Sequence, residues 1–144
     1  MNKVPVSSTF SDCNITCKGS KNIYGVCLSN CNSINEVKNI NSYCLIRNLD
    51  SANTYVYSLR LVSSTTINSI LCDTGKTCSF VAEQNEQSTN KAYTYGLYSD
   101  YGCKIGSIGE NCIFEAKGYG NLGNSYYSSD ITTNNGTFIT TPAS

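Results

Sequence analysis

The chain has no histidine and no tryptophan, and only two prolines and one methionine in 144 residues. Without histidine, the Cys–His and Ser–His–Asp arrangements that activate nucleophiles cannot be assembled. Charge is scarce as well. Charged residues make up 14% of the chain, with 10 Lys plus Arg against 10 Asp plus Glu and a formal net charge of zero. No run of like charge occurs, so the electrostatic footprint of a nucleic-acid or anionic-membrane binder is missing. No apolar stretch approaches the length of a membrane-spanning helix. Paired carboxylates are the catalytic apparatus that remains. Glu83, Glu86, Glu110 and Glu115 lie near cysteines, but their spacing brings no two together, and they read as solvated loop charges. GYGNLGN, residues 118–124, lacks the preceding strand and following helix of a dinucleotide fingerprint. Asp73 and Asp130 stand alone, without the spaced acids of a calcium loop. The expectation is a non-enzyme with no cofactor and no metal.

Cysteine is plentiful. Nine residues, Cys13, Cys17, Cys27, Cys31, Cys44, Cys72, Cys78, Cys103 and Cys112, give a density that usually means disulfides formed in an oxidising compartment. None of the spacings is the CxxC knuckle of a structural zinc site. Two sequons, Asn14-Ile15-Thr16 and Asn135-Gly136-Thr137, agree with an extracellular, secreted location. MNKVPVSSTF lacks the apolar core of a signal peptide, so the chain reads as a domain cut from a longer secreted protein, with Met1 an added start. The abundant Asn matches an AT-rich genome.

The cysteines also mark a repeat. Cys44, Cys78 and Cys112 are separated by 34 and 34 residues. Cys78-Ser79-Phe80-Val81-Ala82 and Cys112-Ile113-Phe114-Glu115-Ala116 share C-x-F-x-A, and Ile46 holds the Phe position in the first copy. Each copy is followed by a Tyr pair: Tyr55 and Tyr57, Tyr93 and Tyr95, Tyr126 and Tyr127. Each is preceded by a partner cysteine, Cys31, Cys72 or Cys103, and Cys17 with Cys27 looks like a degenerate earlier copy. Cys13 falls outside the pattern and is the expected unpaired thiol. Equal spacing of this kind is the signature of an internal repeat.

The periodicity within each unit is that of strands. YVYSLRLVS alternates, with Tyr55, Tyr57, Leu59 and Leu61 on one side; AYTYGLYS does likewise, and INSILC and CSFVAE are short apolar runs. Thr137 to Thr140 is one further strand. Asp73-Thr74-Gly75-Lys76 has turn chemistry between Cys72 and Cys78, and cysteines across a hairpin loop there can meet the Cα separation of about 5.5 Å that a disulfide needs. Helical signal is poor: VAEQNEQSTNKAYTYG lacks an apolar stripe, and INEVKNIN supports one short turn. The expected fold is therefore all-β: disulfide-stapled hairpins from about three related 34-residue units, stacked or arranged around a pseudo-threefold axis. Bridges are expected to use Cys17, Cys27, Cys31, Cys44, Cys72, Cys78, Cys103 and Cys112. Residues 1–12 read as an N-terminal extension, 13–131 as one cysteine-rich domain, and 132–144 as a C-terminal strand with the start of a linker.

Eleven Tyr against four Phe is the remaining functional signal. Tyr combines an apolar body with a polar tip and is enriched at recognition surfaces. Tyr55, Tyr93 and their equivalents are expected to fill the core between strands. Tyr98, Tyr101, Tyr119, Tyr126 and Tyr127, beside Gly, Ser and Asn, are expected at the surface as the partner-binding set.

ILCDTGKTCSFVAEQ and YGCKIGSIGENCIFEAKG, with the Cys31-to-Tyr57 segment, resemble the Cys- and Tyr-rich repeats of scaffoldins, the large extracellular proteins of anaerobic gut fungi. That resemblance covers about two-thirds of the chain and implies a cohesin-like module that binds dockerin domains of plant-cell-wall hydrolases. ITCKGS, CSFVAEQ and GLYSDYGCKIGSI, followed late by NNGTFIT, resemble, more thinly, the virally encoded fungal killer toxins of the small α/β type. The leading expectation is a non-catalytic protein-recognition module. A carbohydrate-binding module and a secreted toxin are the alternatives.

Overall fold

The computed structural model describes residues 8–47, 54–85, 90–118, 124–127 and 130–142, with the backbone alone described at 124–127. These residues form strands and turns, with no helix among them. The strands are β1 (Ser8–Gly19), β2 (Ile23–Ser29), β3 (Ile34–Ile46), β4 (Thr54–Val62), β5 (Thr66–Leu71), β6 (Cys78–Gln84), β7 (Ala92–Ser99), β8 (Lys104–Ile108), β9 (Cys112–Gly118), β10 (Asn124–Tyr127), β11 (Ile131–Asn134) and β12 (Thr137–Pro142). Every strand pair is parallel.

The chain alternates between two sheets. β1, β3, β5 with β6, β8 with β9, and β11 with β12 enter the first sheet; β2, β4, β7 and β10 form the second, in the order β10-β7-β4-β2. Each segment lies beside its counterpart one turn earlier. The chain is therefore a coil, a parallel β-solenoid, and its core runs along the inside of the coil. A parallel pair needs a long crossover where a hairpin needs a two-residue turn. Here each crossover is the strand on the opposite sheet.

Left-handed residues turn the corners. Within the first sheet, Asp12 (φ 56°) and Asn39 (φ 55°) bend β1 and β3 at the same level, and Asn111 (φ 62°) occupies the β8–β9 turn. Between the second sheet and the first, the corners carry Asn30, Ser63 with Ser64, and Gly102, all with positive φ. Asn and Asp tolerate this region because their short polar side chains bond locally. Thr65 is fully buried at its corner, where its hydroxyl donates to the Val62 carbonyl at 2.7 Å.

Inward residues stack turn upon turn. Phe80 lies on Phe114 with ring centroids 5.0 Å apart, and Phe114 lies on Phe138 at 5.0 Å. Val37, Leu59, Leu61, Ile67, Leu97 and Ile108 are fully buried around them. The two sheets are tied together inside by a reciprocal pair: Ser42 Oγ donates to the Ser58 carbonyl at 3.2 Å, and Ser58 Oγ to the Ser42 carbonyl at 3.0 Å.

The all-β expectation holds, and YVYSLRLVS, INSILC, CSFVAE, AYTYGLYS and Thr137 to Thr140 fall on β4, β5, β6, β7 and β12. The hairpin expectation does not hold. Residues flanking each cysteine loop run onward in the same direction and pair with neighbouring turns instead of each other. Of the eight cysteines expected in bridges, Cys72 and Cys78 are joined, with Cα atoms 5.9 Å apart. Cys17, Cys27, Cys31, Cys44, Cys103 and Cys112 are free thiols, as is Cys13. The geometry explains this. Cys31 sits at a corner before β3, whereas Cys44 lies near the far end of β3, beside Cys17 of β1. Cys103 is likewise at a corner, and Cys112 opens β9, beside Cys78. Burial, with Cys17 alongside, pushes the Cys44 thiol up to about 12, and burial pushes Cys112 up to about 11, so both stay protonated at neutral pH.

The 34-residue repeat survives in part. Cys78 is in register with Cys112, and Phe80 with Phe114. Cys44, however, pairs with Ala82 and Ser42 with Phe80. The second spacing is a structural step; the first is a coincidence of numbering. INEVKNIN, expected as a helical turn, is the first part of β3. Ser8 to Asp12 belong to β1, and β11 and β12 form the last turn of the same coil on β8 and β9.

Candidate functional site

A tripeptide repeats down the second sheet: Tyr24-Gly25-Val26, Tyr57-Ser58-Leu59 and Tyr95-Gly96-Leu97. The three copies are in register, Tyr24 beside Tyr57 and Tyr57 beside Tyr95. Simple alternation puts Tyr57 and Leu59 on one face. The structure puts them on opposite faces, because Ser58 and Leu59 are both fully buried. That kink advances the pattern by one residue, which reverses the facing of everything beyond it. Val56 and Ser58 then point inward before the kink, and Leu59 and Leu61 after it.

The tyrosines are thereby gathered on the outer face. Tyr57 stacks between Tyr24 and Tyr95, with both centroid distances 5.4 Å and interplanar angles of 17° and 11°. A second column, Tyr55 on Tyr93 at 5.1 Å, stands beside it. Tyr98 meets Tyr57 and Tyr95 edge-on at 5.0 and 5.1 Å. Arg60 lies in the midst, its guanidinium carbon 4.8 Å from the centre of the Tyr57 ring, 5.3 Å from Tyr24 and 5.9 Å from Tyr98. Tyr57 is 6% exposed, covered by its own neighbours, whereas Tyr24 at the end of the column is 40% exposed. Burial raises the Tyr57 phenol well above its ordinary value, so it stays a neutral hydrogen-bonding group.

Stacked rings hide their faces and show their edges. The outer face therefore presents phenol edges and hydroxyls around one cation. Arg60 is the single charged residue of β2, β4, β7 and β10. Cys27, exposed and in register with Arg60, carries a free thiol at the margin of the array.

Of the tyrosines expected to bind a partner, Tyr98 belongs to this array. Tyr101 is 96% exposed but stands at the β7–β8 turn, beside a shallow pocket of about 280 Å³ with Lys104 and Asp130. Tyr126 and Tyr127 lie on β10, in register with Leu97 and Tyr98. Tyr119 and Glu86 lie outside the described residues. The expectation that Tyr55 and Tyr93 fill the core is corrected: both are half-buried on the outer face, stacked on each other. Sequence reasoning missed Tyr24 and Arg60. The repeated Tyr–small–aliphatic triplet was the signal that could have found Tyr24. The described glutamates near the cysteines make separate contacts: Glu83 accepts from the Tyr43 hydroxyl at 2.7 Å, Glu115 lies 3.7 Å from Lys117, and Glu110 is exposed at the β8–β9 turn.

A polar ladder crosses the bend of the first sheet. Asn39 Nδ2 donates to Asp12 Oδ1 at 3.0 Å and to Asp73 Oδ2 at 2.9 Å, while the Asp73 N–H donates to Asn39 Oδ1 at 2.9 Å. Lys38 lies 3.0 Å from Asp73, and Lys76 lies 3.9 Å from Asp12. One carboxamide thus ties three successive turns at the level where the Cys72–Cys78 loop leaves the coil. Asn39 hydrogen bonds hold both carboxyls below the ordinary aspartate range. A depressed carboxyl contributes stability that is present above its unfolded value and is lost as pH falls through its folded value. Urea midpoints should therefore drop as pH falls below about 4. Asn39→Gly, which keeps the left-handed backbone but deletes the carboxamide, should flatten that acid limb. An unchanged acid limb in the variant would contradict this role.

No known protein family, no curated protein and no solved structure matches this chain.

Proposed function

We propose that the chain is a non-catalytic recognition module acting outside the cell, and that it binds a protein partner on the outer face of the second sheet. The observation that carries the reading is the array of six tyrosines, Tyr24, Tyr55, Tyr57, Tyr93, Tyr95 and Tyr98, ordered around Arg60. Tyr and Arg dominate binding hot spots because they combine area, rigidity and polar edges. These rings are already fixed by their neighbours, so little side-chain entropy remains to be lost on binding. Sugar stacking needs a free ring face, and the stack covers both faces of Tyr57, the ring at the centre of the array. The geometry therefore favours a protein over a carbohydrate. The resemblance to scaffoldin repeats supplies a partner class to try first, the dockerin-type domain.

The test is a pull-down with the full chain from culture supernatant that contains dockerin-bearing enzymes, run beside bare cellulose and a glycan array. Retention of an enzyme is expected, with Cys27 protected from alkylation in the complex. Tyr95→Ala with Tyr98→Ala should weaken retention roughly 30-fold or more, the equivalent of about 2 kcal/mol. Binding to glycans alone, or equal retention by the double variant, would count against the reading.

A further inference from the structure

Arg60 is held in an unusual way. Three tyrosine rings surround its guanidinium. Its Nε–H is shielded from water and has no hydrogen-bond partner among the described residues. No ion pair among the described residues includes it. The four strands of its sheet contain no Asp or Glu. The acids of the described chain sit elsewhere: Asp12, Glu36, Asp73, Glu83 and Glu115 on the first sheet or its loop, Glu110 at the β8–β9 turn, and Asp100 and Asp130 at corners. The carboxylates with assigned contacts use them on the first sheet, Asp73 with Lys38 and Glu83 with Tyr43.

A guanidinium packed among aromatic rings keeps its charge but loses part of its hydration, and cation–π attraction offsets that cost only in part. A buried donor without a partner adds its own penalty. The charge cost is relieved by a carboxylate, which matches the planar fork of Arg with two charge-assisted hydrogen bonds. An anion arriving here meets no acid within the four strands, Asp100 lying just past the end of β7 with its N–H on the Leu61 carbonyl, and finds phenol hydroxyls as further donors.

We propose that Arg60 is the anchor for a partner carboxylate, supplied by an Asp or Glu side chain of an acidic protein segment that lies across the tyrosine array. The inference rests on the recognition reading above and gives it a residue and a partner chemistry. Arg60 selects the charge, and the tyrosines around it supply the contact area.

A random-peptide phage library panned on the immobilised full chain tests it. The wild-type chain should enrich peptides rich in Asp and Glu. Arg60→Met keeps the apolar stem and should bind those peptides about tenfold more weakly or worse. Arg60→Lys should recover part of the affinity, and Arg60→Glu should switch the enriched set to Lys and Arg. Near-UV circular dichroism of the tyrosines checks that each variant keeps the array. Absence of acidic enrichment, or equal binding by Arg60→Met, overturns the assignment of Arg60. The recognition reading still stands in that case if Tyr95→Ala with Tyr98→Ala abolishes enrichment, and it falls if the double variant enriches the same peptides. Oligogalacturonate that binds and displaces the acidic peptides through Arg60 would make an acidic polysaccharide the ligand, and would overturn the choice of a protein segment.

Discussion

Phe114→Ala should be among the most destabilising single changes in the chain, costing roughly 3–5 kcal/mol. Phe114 is fully buried and is the middle ring of the interior stack, 5.0 Å from Phe80 on one side and 5.0 Å from Phe138 on the other. Truncation removes the ring from both contacts at once. Backbone hydrogen bonds of β9 to β6 and β12 hold the turns at fixed spacing, so the walls cannot collapse into the space. The lost transfer free energy and the residual cavity then add. Phe138→Ala should cost less, because that ring is only partly buried and ends the stack. Equilibrium urea unfolding of the two variants measures the difference. Equal losses would mean that the rings do not stack in this order.

Gly25→Val tests the inside of the kink and should have the second-largest effect. A Cβ at Gly25 would lie 2.7 Å from the Ser58 carbonyl and 2.8 Å from Cys44 Sγ, and would run into Ser42 Oγ. Two of those atoms belong to the pair that joins the sheets. A flexible side chain could swing away, but the Ser58 carbonyl is backbone and pairs with Ser42. Overpacking of this kind typically costs about 1–3 kcal/mol and occasionally more. Val adds two branched methyls beyond that Cβ, so the upper end or outright failure to fold is expected. Gly25→Val with unaltered stability, measured by thermal and urea unfolding, would show that the second sheet lies farther from the first than the structure places it.

Much of the fold was legible in the sequence, element by element. The alternation in YVYSLRLVS and AYTYGLYS marks β4 and β7 because half-buried strands repeat with period two. CSFVAE and the Thr137 to Thr140 stretch likewise mark β6 and β12. Strand direction was not legible. Cys72 and Cys78 flank a short polar loop whether the flanking strands return as a hairpin or run on into different neighbours, and a local disulfide fits both. The direction is set by pairings between residues more than 30 positions apart, such as Tyr57 with Tyr95 and Ser42 with Phe80, and no short window contains them.

The candidate site was legible only in part, for a related reason. Tyr55, Tyr57, Tyr93 and Tyr95 stand out by composition, yet their face depends on what happens at Ser58 and Gly96. A single kink there turns Leu59 and Leu97 inward and leaves the tyrosines outside. Tyr98 and Arg60 meet because the kink also brings positions three apart onto one side of the sheet: Tyr57 with Arg60, and Tyr95 with Tyr98. Once the triplet Tyr24-Gly25-Val26 is aligned with its two later copies, the array follows. The cysteine repeat drew the reading elsewhere. Its first step, Cys44 to Cys78, matches no structural register.

The most direct test of the account is a set of nuclear Overhauser contacts among the tyrosine rings of the folded chain. Tyr57 should show ring-to-ring contacts with Tyr24 and Tyr95, residues one turn before and one turn after it, and Tyr55 should contact Tyr93. Missing contacts between these pairs, together with close Hα–Hα contacts between Leu71 and Ser79 across the Cys72–Cys78 loop, would restore the antiparallel hairpin and contradict the coil on which the proposed recognition surface rests.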